Sequence, residues 1–392
     1  MQIVQGISKT VLLLSIVSLF NDLSSEMIMA VLPLFITALG GGGLSIGLIG
    51  GIEESIKSIL SAFMGYFSDR AARRKPFVFF GYLVSSLSKL LLPFSGTWAN
   101  VLGLRFLDRM GKGLRTAPRD AMIADSIAFN TRGLNFGFHR AMDTAGALLG
   151  SLAAFLLFWV FALELKLIML LGGALALISL LPLFFARERP HSPTPNTFIT
   201  GLRQLPKAFK LSLAAMMLFA LANFSYMFFL LKVSAAFTDK LAVGMPLLMY
   251  IIFNATYTLL PIPFGILSDK IGRRNVLLMG YLLFGLTCLG FAFSQATWAF
   301  VILFTLYGAS YAFIEGNQRA FASDLANAEE RGTALGAFHF SIGFAALLGS
   351  IFAGFLWQFF APEITFFYGA ALAFLGVLAL HLTTRQLNAS PA

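Results

Sequence analysis

The chain has 392 residues, of which 58% are hydrophobic and only 12% charged, and its mean hydropathy is +0.82. Soluble proteins carry about 25% charged residues, so this composition excludes an ordinary soluble protein. The single cysteine, Cys288, excludes a disulfide framework and a multi-cysteine metal site. The four histidines are scattered without nucleophile–base or metal-ligand spacing, so we expect no enzyme, no metal and no cofactor.

Long apolar stretches recur along the whole chain. A helix needs about 20 mainly apolar residues to cross a hydrocarbon core about 30 Å thick. Twelve stretches reach this length without the alternation of barrel strands, which predicts an all-α integral membrane protein with twelve transmembrane helices. The predicted spans are 10–37, 46–68, 77–95, 100–124, 135–158, 165–186, 209–235, 244–267, 275–293, 297–322, 333–358 and 363–383. The first is too long for a signal peptide, so we expect it to remain as a span.

Basic residues are distributed unequally between alternate loops. If the N-terminus is cytoplasmic, only Lys166 and Lys240 lie on the opposite side. The cytoplasmic side then holds Lys9, Arg70, Arg73, Arg74, Lys75, Arg132, Arg187, Arg189, Arg203, Lys207, Lys210, Lys270, Arg273, Arg274, Arg331 and Arg385. The positive-inside rule therefore predicts that both termini are cytoplasmic. We expect a multi-pass protein of a bacterial-type inner (plasma) membrane. The net charge of +10 reflects this topology, so the expected partner is the lipid bilayer and not nucleic acid.

A charged motif occurs twice, two hundred residues apart. GYFSDRAARRK at Gly65–Lys75 recurs as GILSDKIGRRN at Gly265–Asn275, each time between two predicted spans. Further along each half, LLGS at 148–151 returns at 347–350. Landmarks at nearly the same offset indicate an internal duplication, a construction that is common among membrane transporters.

A polar segment with four prolines lies between the sixth and seventh predicted spans. Proline and polar residues at such a place are typical of a boundary between domains. We therefore predict an N-terminal six-helix bundle (1–186), a cytoplasmic linker (187–208) and a C-terminal six-helix bundle (209–392).

Six plus six spans with G-x-x-x-D-[RK]-x-x-R-[RK] after the second and eighth resemble the major facilitator superfamily over essentially the whole chain. The resemblance implies two pseudo-symmetric bundles that open a central site alternately to each side. It also implies that Asp69 and Arg73, with Asp269 and Arg273, hold the cytoplasmic side shut through charge-assisted contacts between helix ends. The alternative is that the basic loop serves only membrane topology. The predicted cytoplasmic gate residues are Asp69, Arg73, Asp269, Arg273, Arg119, Asp125 and Asp324.

The fourth predicted span carries a ladder of charge. At 100° per residue, six side chains fall within about 120° of one another: Arg105, Asp108, Arg109, Lys112, Arg115 and Arg119. One interpretation is that Arg105, Arg109 and Lys112, nearest the middle of the membrane, attract an anionic substrate. The other is that acids on neighbouring helices neutralise the ladder as structural ion pairs. The candidate acids are Asp22, Glu26, Glu53 and Asp143.

Asp22 and Glu26 lie four residues apart on one face of the first span. Burial and a nearby arginine act on the proton affinity of a carboxylate in opposite directions, so such a site can exchange protons. We therefore predict proton coupling at Asp22 and Glu26, the alternative being a permanent salt bridge to the fourth span. In the second half, uncharged polar candidates for the facing wall of the substrate cavity are Asn223, Tyr226, Asn254 and Tyr257.

These patterns together predict a secondary active transporter, a monomer that moves a small organic, anionic solute with protons by alternating access. One alternative is a proton-driven exporter of multiple amphipathic drugs, in which the arginines only stabilise the fold. The stretch Gly146–Ser151 lacks the proline that drug/proton antiporters usually show on the fifth span, so no motif supports that alternative. A further alternative, from another class, is a non-transporting membrane receptor or scaffold on the same fold.

Overall fold

The structure, a computed structural model of the chain, describes residues 7–71, 73–127, 131–188, 205–326 and 331–389. These ranges form fifteen α-helices and no β-strand. The helices are α1 (Lys9–Ala38), α2 (Gly43–Arg70), α3 (Lys75–Leu91), α4 (Trp98–Asp125), α5 (Arg132–Trp159), α6 (Leu165–Ile178), α7 (Leu181–Phe185), α8 (Lys207–Ala222), α9 (Met227–Ser234), α10 (Asp239–Leu259), α11 (Pro261–Ile271), α12 (Arg273–Phe293), α13 (Thr297–Asp324), α14 (Arg331–Phe359) and α15 (Pro362–Ala389).

Twelve segments of the described chain are long enough to cross a membrane. Ten of them are also apolar enough by composition, with α6–α7 and α8–α9 each counting as one segment. The other two, α2 and α4, carry more charge but have 28 residues each. At a rise of about 1.5 Å per residue, each extends about 42 Å, more than the hydrocarbon core requires. The all-α architecture with twelve spans agrees with the prediction from the sequence.

The segment formed by α8 and α9 is interrupted in its middle. Between the two helices the chain leaves the helical conformation for four residues, 223–226. Backbone groups freed inside a membrane need internal partners. Here the amide of Ser225 donates to the Ser350 hydroxyl at 3.0 Å, and the Leu221 carbonyl accepts from the Tyr368 hydroxyl at 2.8 Å. The break is therefore stabilised by side chains of α14 and α15.

The described helices divide into two compact units. The first unit contains α1, the later part of α2 from Ile56, and α3–α7. The second contains the beginning of α2, through Ser55, and α8–α15. Most of the predicted linker, 187–208, lies outside the described residues, and the predicted domain boundaries stay a prediction.

The same helix pairings occur within each unit. In the first unit α1 packs on α5 and α6, and α3 packs on α4 and α6. In the second unit α8 packs on α14 and α15, and α12 packs on α13 and α15. Each pairing of the first unit thus has a counterpart in the second, as the duplicated sequence motifs predict.

Two corresponding glycines allow α5 to pack closely against α1 and α14 to pack closely against α8. A Cβ atom at Gly150 in α5 would lie 2.3 Å from the Leu23 carbonyl oxygen of α1, and one at Gly349 in α14 would lie 2.3 Å from that of Leu221 in α8. Small residues allow such close approach between membrane helices. These two glycines belong to the repeated LLGS sequence, which therefore marks the same packing contact twice.

We expect Gly150→Ala to destabilise the folded protein, because its new methyl group would overlap the backbone of α1. Overpacking of this kind costs about 1–3 kcal/mol. Gly137 lies in the same helix, and a Cβ there would have no atom within 4 Å, so Gly137→Ala should be neutral or stabilising by up to about 1 kcal/mol. Thermal unfolding of the purified variants in detergent measures both effects. Equal midpoints for the two variants would contradict the packing argument.

Candidate functional site

Helix α4 turns its charged residues toward the protein. It begins with a capping box, in which Thr97 and Asn100 exchange hydrogen bonds between side chain and backbone. Beyond this cap, Arg105, Arg109 and Arg115 are buried, whereas the intervening Phe106, Leu107 and Met110 are exposed. The helical spacing of the charges predicts this division between a polar face and an apolar face.

A buried carboxylate, Asp108, neutralises the middle of this face. Its Oδ2 lies 2.8 Å from Nη1 of Arg105 and 3.2 Å from Nη2 of Arg109. Its Oδ1 accepts a hydrogen bond of 2.5 Å from the Ser85 hydroxyl of α3. Both arginines thus form ion pairs with Asp108, which lies in the same helix. From the sequence, the candidate acidic partners are on neighbouring helices.

A second buried cluster centres on Asn21 of α1. The Lys89 ammonium donates to the Asn21 carbonyl at 3.2 Å, to its Oδ1 at 3.0 Å and to the Ser25 hydroxyl at 2.7 Å. Asn21 Oδ1 also accepts from Nη2 of Arg115 at 2.8 Å, and that guanidinium lies 4.1 Å from the centre of the Tyr82 ring. One amide therefore connects α1 to α3 and α4.

The sequence contains a signal for this cluster, although the predicted site residues do not include its members. A fully buried lysine in an apolar helix requires polar partners, and Lys89 is such a lysine. Asn21 is easily overlooked beside the ionisable Asp22. Asn21 lies 68 residues from Lys89 in the chain, so its proximity to that lysine is visible only in the structure.

Asp22 and Lys112 form a partly exposed ion pair. Oδ1 of Asp22 lies 3.5 Å from Nζ of Lys112, and their side chains are 18% and 27% exposed. Glu26, one turn further along α1, is also partly exposed. Both carboxylates predicted to exchange protons are thus on an accessible part of α1, and Asp22 contacts the least buried of the three cations predicted to attract substrate.

Polar contacts between α1, α4 and α5 continue toward the end of α4. Arg119 donates to the Ser18 hydroxyl and pairs with Asp120, both at 3.0 Å. His139 of α5 has its Nδ1 3.1 Å from the Ser15 hydroxyl and its Nε2 3.8 Å from Oδ1 of Asp143. Arg119, predicted as a gate residue, therefore takes part in a polar network within the first unit.

Each copy of the repeated charged motif is connected to a carboxylate within its own unit. In the first unit Arg74 forms an ion pair with Asp125 at the end of α4. In the second unit Nε of Arg273 lies 3.0 Å from Oδ2 of Asp324 at the end of α13. The two carboxylates occupy equivalent places in the repeat. Their arginine partners do not, because Arg74 corresponds to Arg274 and not to Arg273. Of the other predicted gate residues, Arg73 and Asp269 are exposed, and the side chain of Asp69 lies outside the described residues.

The uncharged candidates of the second unit lie close together on an aromatic wall. Asn223 Oδ1 accepts a 2.8 Å hydrogen bond from the Tyr311 hydroxyl. Tyr311 also makes an edge contact with the Tyr257 ring, with centroids 6.3 Å apart. Tyr226 is partly exposed, like Asn223 and Tyr257, whereas Asn254 is buried.

The aromatic wall also contains two tyrosines that the sequence does not predict as site residues. Tyr250 stacks on Tyr226 with ring centroids 5.4 Å apart, and Tyr311 holds Asn223. With 43 phenylalanines and nine tyrosines in the chain, aromatic residues alone do not indicate a site. Helical spacing from the candidates would find Tyr250, which lies four residues before Asn254.

A comparison of the sequence with known families supports the internal duplication that the helix pairings show. The sequence profile of the Major Facilitator Superfamily matches residues 14–233 and again residues 212–391. The chain belongs to this superfamily. It is accordingly a multi-pass membrane transporter and not an enzyme.

Relatives of this superfamily member cover nearly its whole length. An "uncharacterized MFS-type transporter" of Methanocaldococcus jannaschii is 46% identical over 379 residues, which cover 95% of this chain and 94% of the relative. The multidrug resistance protein MdtH of Proteus mirabilis is 24% identical, covering 90% and 88% of the two chains. The crystal structure of the nucleoside transporter NupG superposes with a TM-score of 0.76 at 16% identity, covering 96% and 99%. This last likeness shows the fold alone.

We expect Asn21→Ala to destabilise this superfamily member by about 2–3 kcal/mol, because it removes the amide oxygen that serves two buried cations. A suitable control is Asn275→Ala, since Asn275 is exposed and its amide donates only to a carbonyl of the preceding turn. Thermal unfolding in detergent compares the two variants with the parent protein. A loss no larger than that of Asn275→Ala would show that the cluster does not depend on Asn21.

Proposed function

We propose that the protein is a proton-coupled secondary transporter of a small organic anion that works by alternating access. The observation that carries this proposal is the Asp22–Lys112 pair, which combines a cation, a titratable carboxylate and partial exposure. Protonation of Asp22 would release the Lys112 ammonium from its partner. The released ammonium could then bind a carboxylate or phosphate of the solute, so that a proton and an anion are bound together.

The buried arginines have a supporting role in this proposal. Arg105 and Arg109 contact Asp108 and are almost inaccessible, so a solute would meet Lys112 first. Their charges still contribute to the field along α4, where cations outnumber acids. A cleft lined by one sign of charge raises the local concentration of the opposite ion. We therefore propose that Arg105 and Arg109 attract the anion and that Lys112 contacts it directly.

For the second unit we propose that the aromatic wall contacts the uncharged part of the solute. Tyr226 and Tyr257 are partly exposed, and the Asn223–Tyr311 pair adds hydrogen-bonding groups to the same wall. Apolar surface with a few placed polar groups is typical of small-molecule sites. Asn254, which is buried, would act by supporting this wall from behind.

The predicted topology and gate complete the proposal. We propose a monomer in a bacterial-type plasma membrane with both termini cytoplasmic, as the distribution of basic residues indicates. The gate at the cytoplasmic side would use Asp69, Arg73, Asp269 and Arg273. The carboxylates Asp125 and Asp324 would support it by holding the neighbouring helix ends, as their ion pairs with Arg74 and Arg273 suggest.

A second candidate function is the export of amphipathic drugs. The aromatic wall favours it, as does the similarity to a relative named a multidrug resistance protein. A thermal-shift screen of the purified protein separates the two functions, because a ligand that binds the folded state raises its apparent stability. Stabilisation by carboxylates, phosphates or chelators supports the anion transporter. Stabilisation by hydrophobic cations alone would overturn it in favour of drug export.

We expect Lys112→Gln to weaken binding of the anion selected by this screen at least about tenfold, because its direct ionic contact is lost. Lys240→Gln, which removes an exposed lysine of the second unit, should bind as the parent protein does. Isothermal titration in detergent measures both affinities. Unchanged affinity in Lys112→Gln would exclude Lys112 as the anion contact.

Asp22→Asn should abolish uptake driven by a pH step in proteoliposomes, because an amide cannot carry the coupled proton. Exchange of labelled for unlabelled anion at constant pH should persist, since it needs no net proton movement. Asp239→Asn, at an exposed carboxylate, is the matched control. Normal pH-driven uptake by Asp22→Asn would reject proton coupling at this residue.

A further inference from the structure

A cleft of about 500 Å³ lies in the first unit where α1 and α3 begin and α7 ends. The residues that line it include Lys9, Lys75, Phe184 and Arg187. None of these residues belongs to the polar clusters between α1, α3 and α4. The Thr10 hydroxyl donates to the Arg187 carbonyl at 3.2 Å, which holds the chain after α7 against the first turn of α1.

The acid in this cleft is engaged with backbone amides. The carboxylate of Glu188 accepts hydrogen bonds from the backbone N–H groups of Arg74 and Lys75, at the N-terminus of α3. Unsatisfied amides at a helix N-terminus attract negative charge, so Glu188 serves as a cap. Glu188 therefore caps α3, and within the described residues it forms no ion pair with Lys9 or Arg187.

The cations of the cleft keep donors available. Lys75 Nζ donates to the carbonyls of Phe184 at 3.2 Å and Ala186 at 2.7 Å, which leaves a third hydrogen for a ligand. The side chains of Lys9 and Arg187 are exposed. Neither forms an ion pair with any residue in the part of the chain that the structure describes. The cleft thus has a positive rim, and within the described residues these two side chains have no carboxylate partner.

Apolar surface adjoins this positive rim. Phe184 and Phe185 are 62% and 71% exposed, and they lie at the end of the membrane-length segment formed by α6 and α7. The end of a membrane-length segment reaches the headgroup level of a bilayer. Cations next to exposed aromatic side chains at this level match a ligand with a phosphate at one end and acyl chains at the other.

We propose that this cleft binds an anionic phospholipid. Lys9, Arg187 and the remaining Lys75 donor contact the headgroup phosphate, and Phe184 and Phe185 lie along the acyl chains. Basic pockets at helix ends are known to recognise anionic headgroups. The lipid, rather than a soluble anion, is favoured by the exposed phenylalanines, which would add nothing to the binding of inorganic phosphate.

Phosphatidylglycerol titrated into the detergent-purified protein tests this proposal by native mass spectrometry and thermal unfolding. We expect it to bind and raise the midpoint, and phosphatidylcholine to do neither. Lys9→Gln with Arg187→Gln should weaken phosphatidylglycerol binding at least about tenfold, since each cation near an anionic headgroup contributes about 1 kcal/mol. The matched control is Lys166→Gln with Lys240→Gln, which removes two exposed lysines from elsewhere on the protein and should bind normally.

Equal binding by the two double variants would overturn the proposal, as would equal stabilisation by phosphatidylcholine. Stabilisation by inorganic phosphate but not by phosphatidylglycerol, lost in Lys9→Gln with Arg187→Gln, would overturn the lipid in favour of a soluble anion in this cleft. Because Lys9 and Arg187 are exposed, each single variant is expected to fold, which its midpoint without lipid checks, and each should show part of the loss. The result depends on Lys9 and Arg187 and not on Asp22 or Lys112, so its failure and the failure of the proposed transport function are distinguishable.

Discussion

A charge within a membrane-spanning helix must face the protein interior or a water-filled cavity and find a partner there. Helix α4 carries the most charged residues of the described helices, so this constraint bears on it most. Asp108 meets it by pairing with Arg105 and Arg109 while accepting from Ser85 of the adjacent helix. Removing one partner of a buried ion pair leaves an uncompensated charge, at a cost of about 3–5 kcal/mol. The hydrogen bond from Ser85 also joins α3 to the charged face of α4.

The two halves share their helix pairings but differ in chemistry. The first unit places charged and amide groups between α1, α3 and α4, whereas the second places aromatic rings between the break at 223–226, α10 and α13. The glycine contacts at Gly150 and Gly349 are equivalent, so packing has been retained where side-chain chemistry has diverged. In the proposed function the first unit would bind the anion and the proton, and the aromatic rings of the second unit would contact the uncharged part of the solute.

Periodicity and repetition are the features of the sequence that predict structure here. Hydropathy locates the twelve spans, the duplicated motif indicates the superfamily, and helical spacing places Arg105 and Arg109 on one face of α4. The partners of those residues cannot be predicted in this way, because the spacing within a helix does not reveal how its neighbours are rotated. From the sequence Asp108 is only one member of the ladder, and its role as the neutralising group needs the structure. Asn21 is missed because its side chain is uncharged, and because its contact with Lys89 joins positions 68 residues apart in the chain.

The break between α8 and α9 has a consequence for assembly during synthesis. Its freed backbone groups find partners on Ser350 and Tyr368, which are made more than a hundred residues later. Until α14 and α15 have entered the bilayer, this segment lacks the groups that satisfy its backbone. The seventh span thus reaches its final conformation only after the last two helices arrive, and a chain ending before α14 would leave it incomplete.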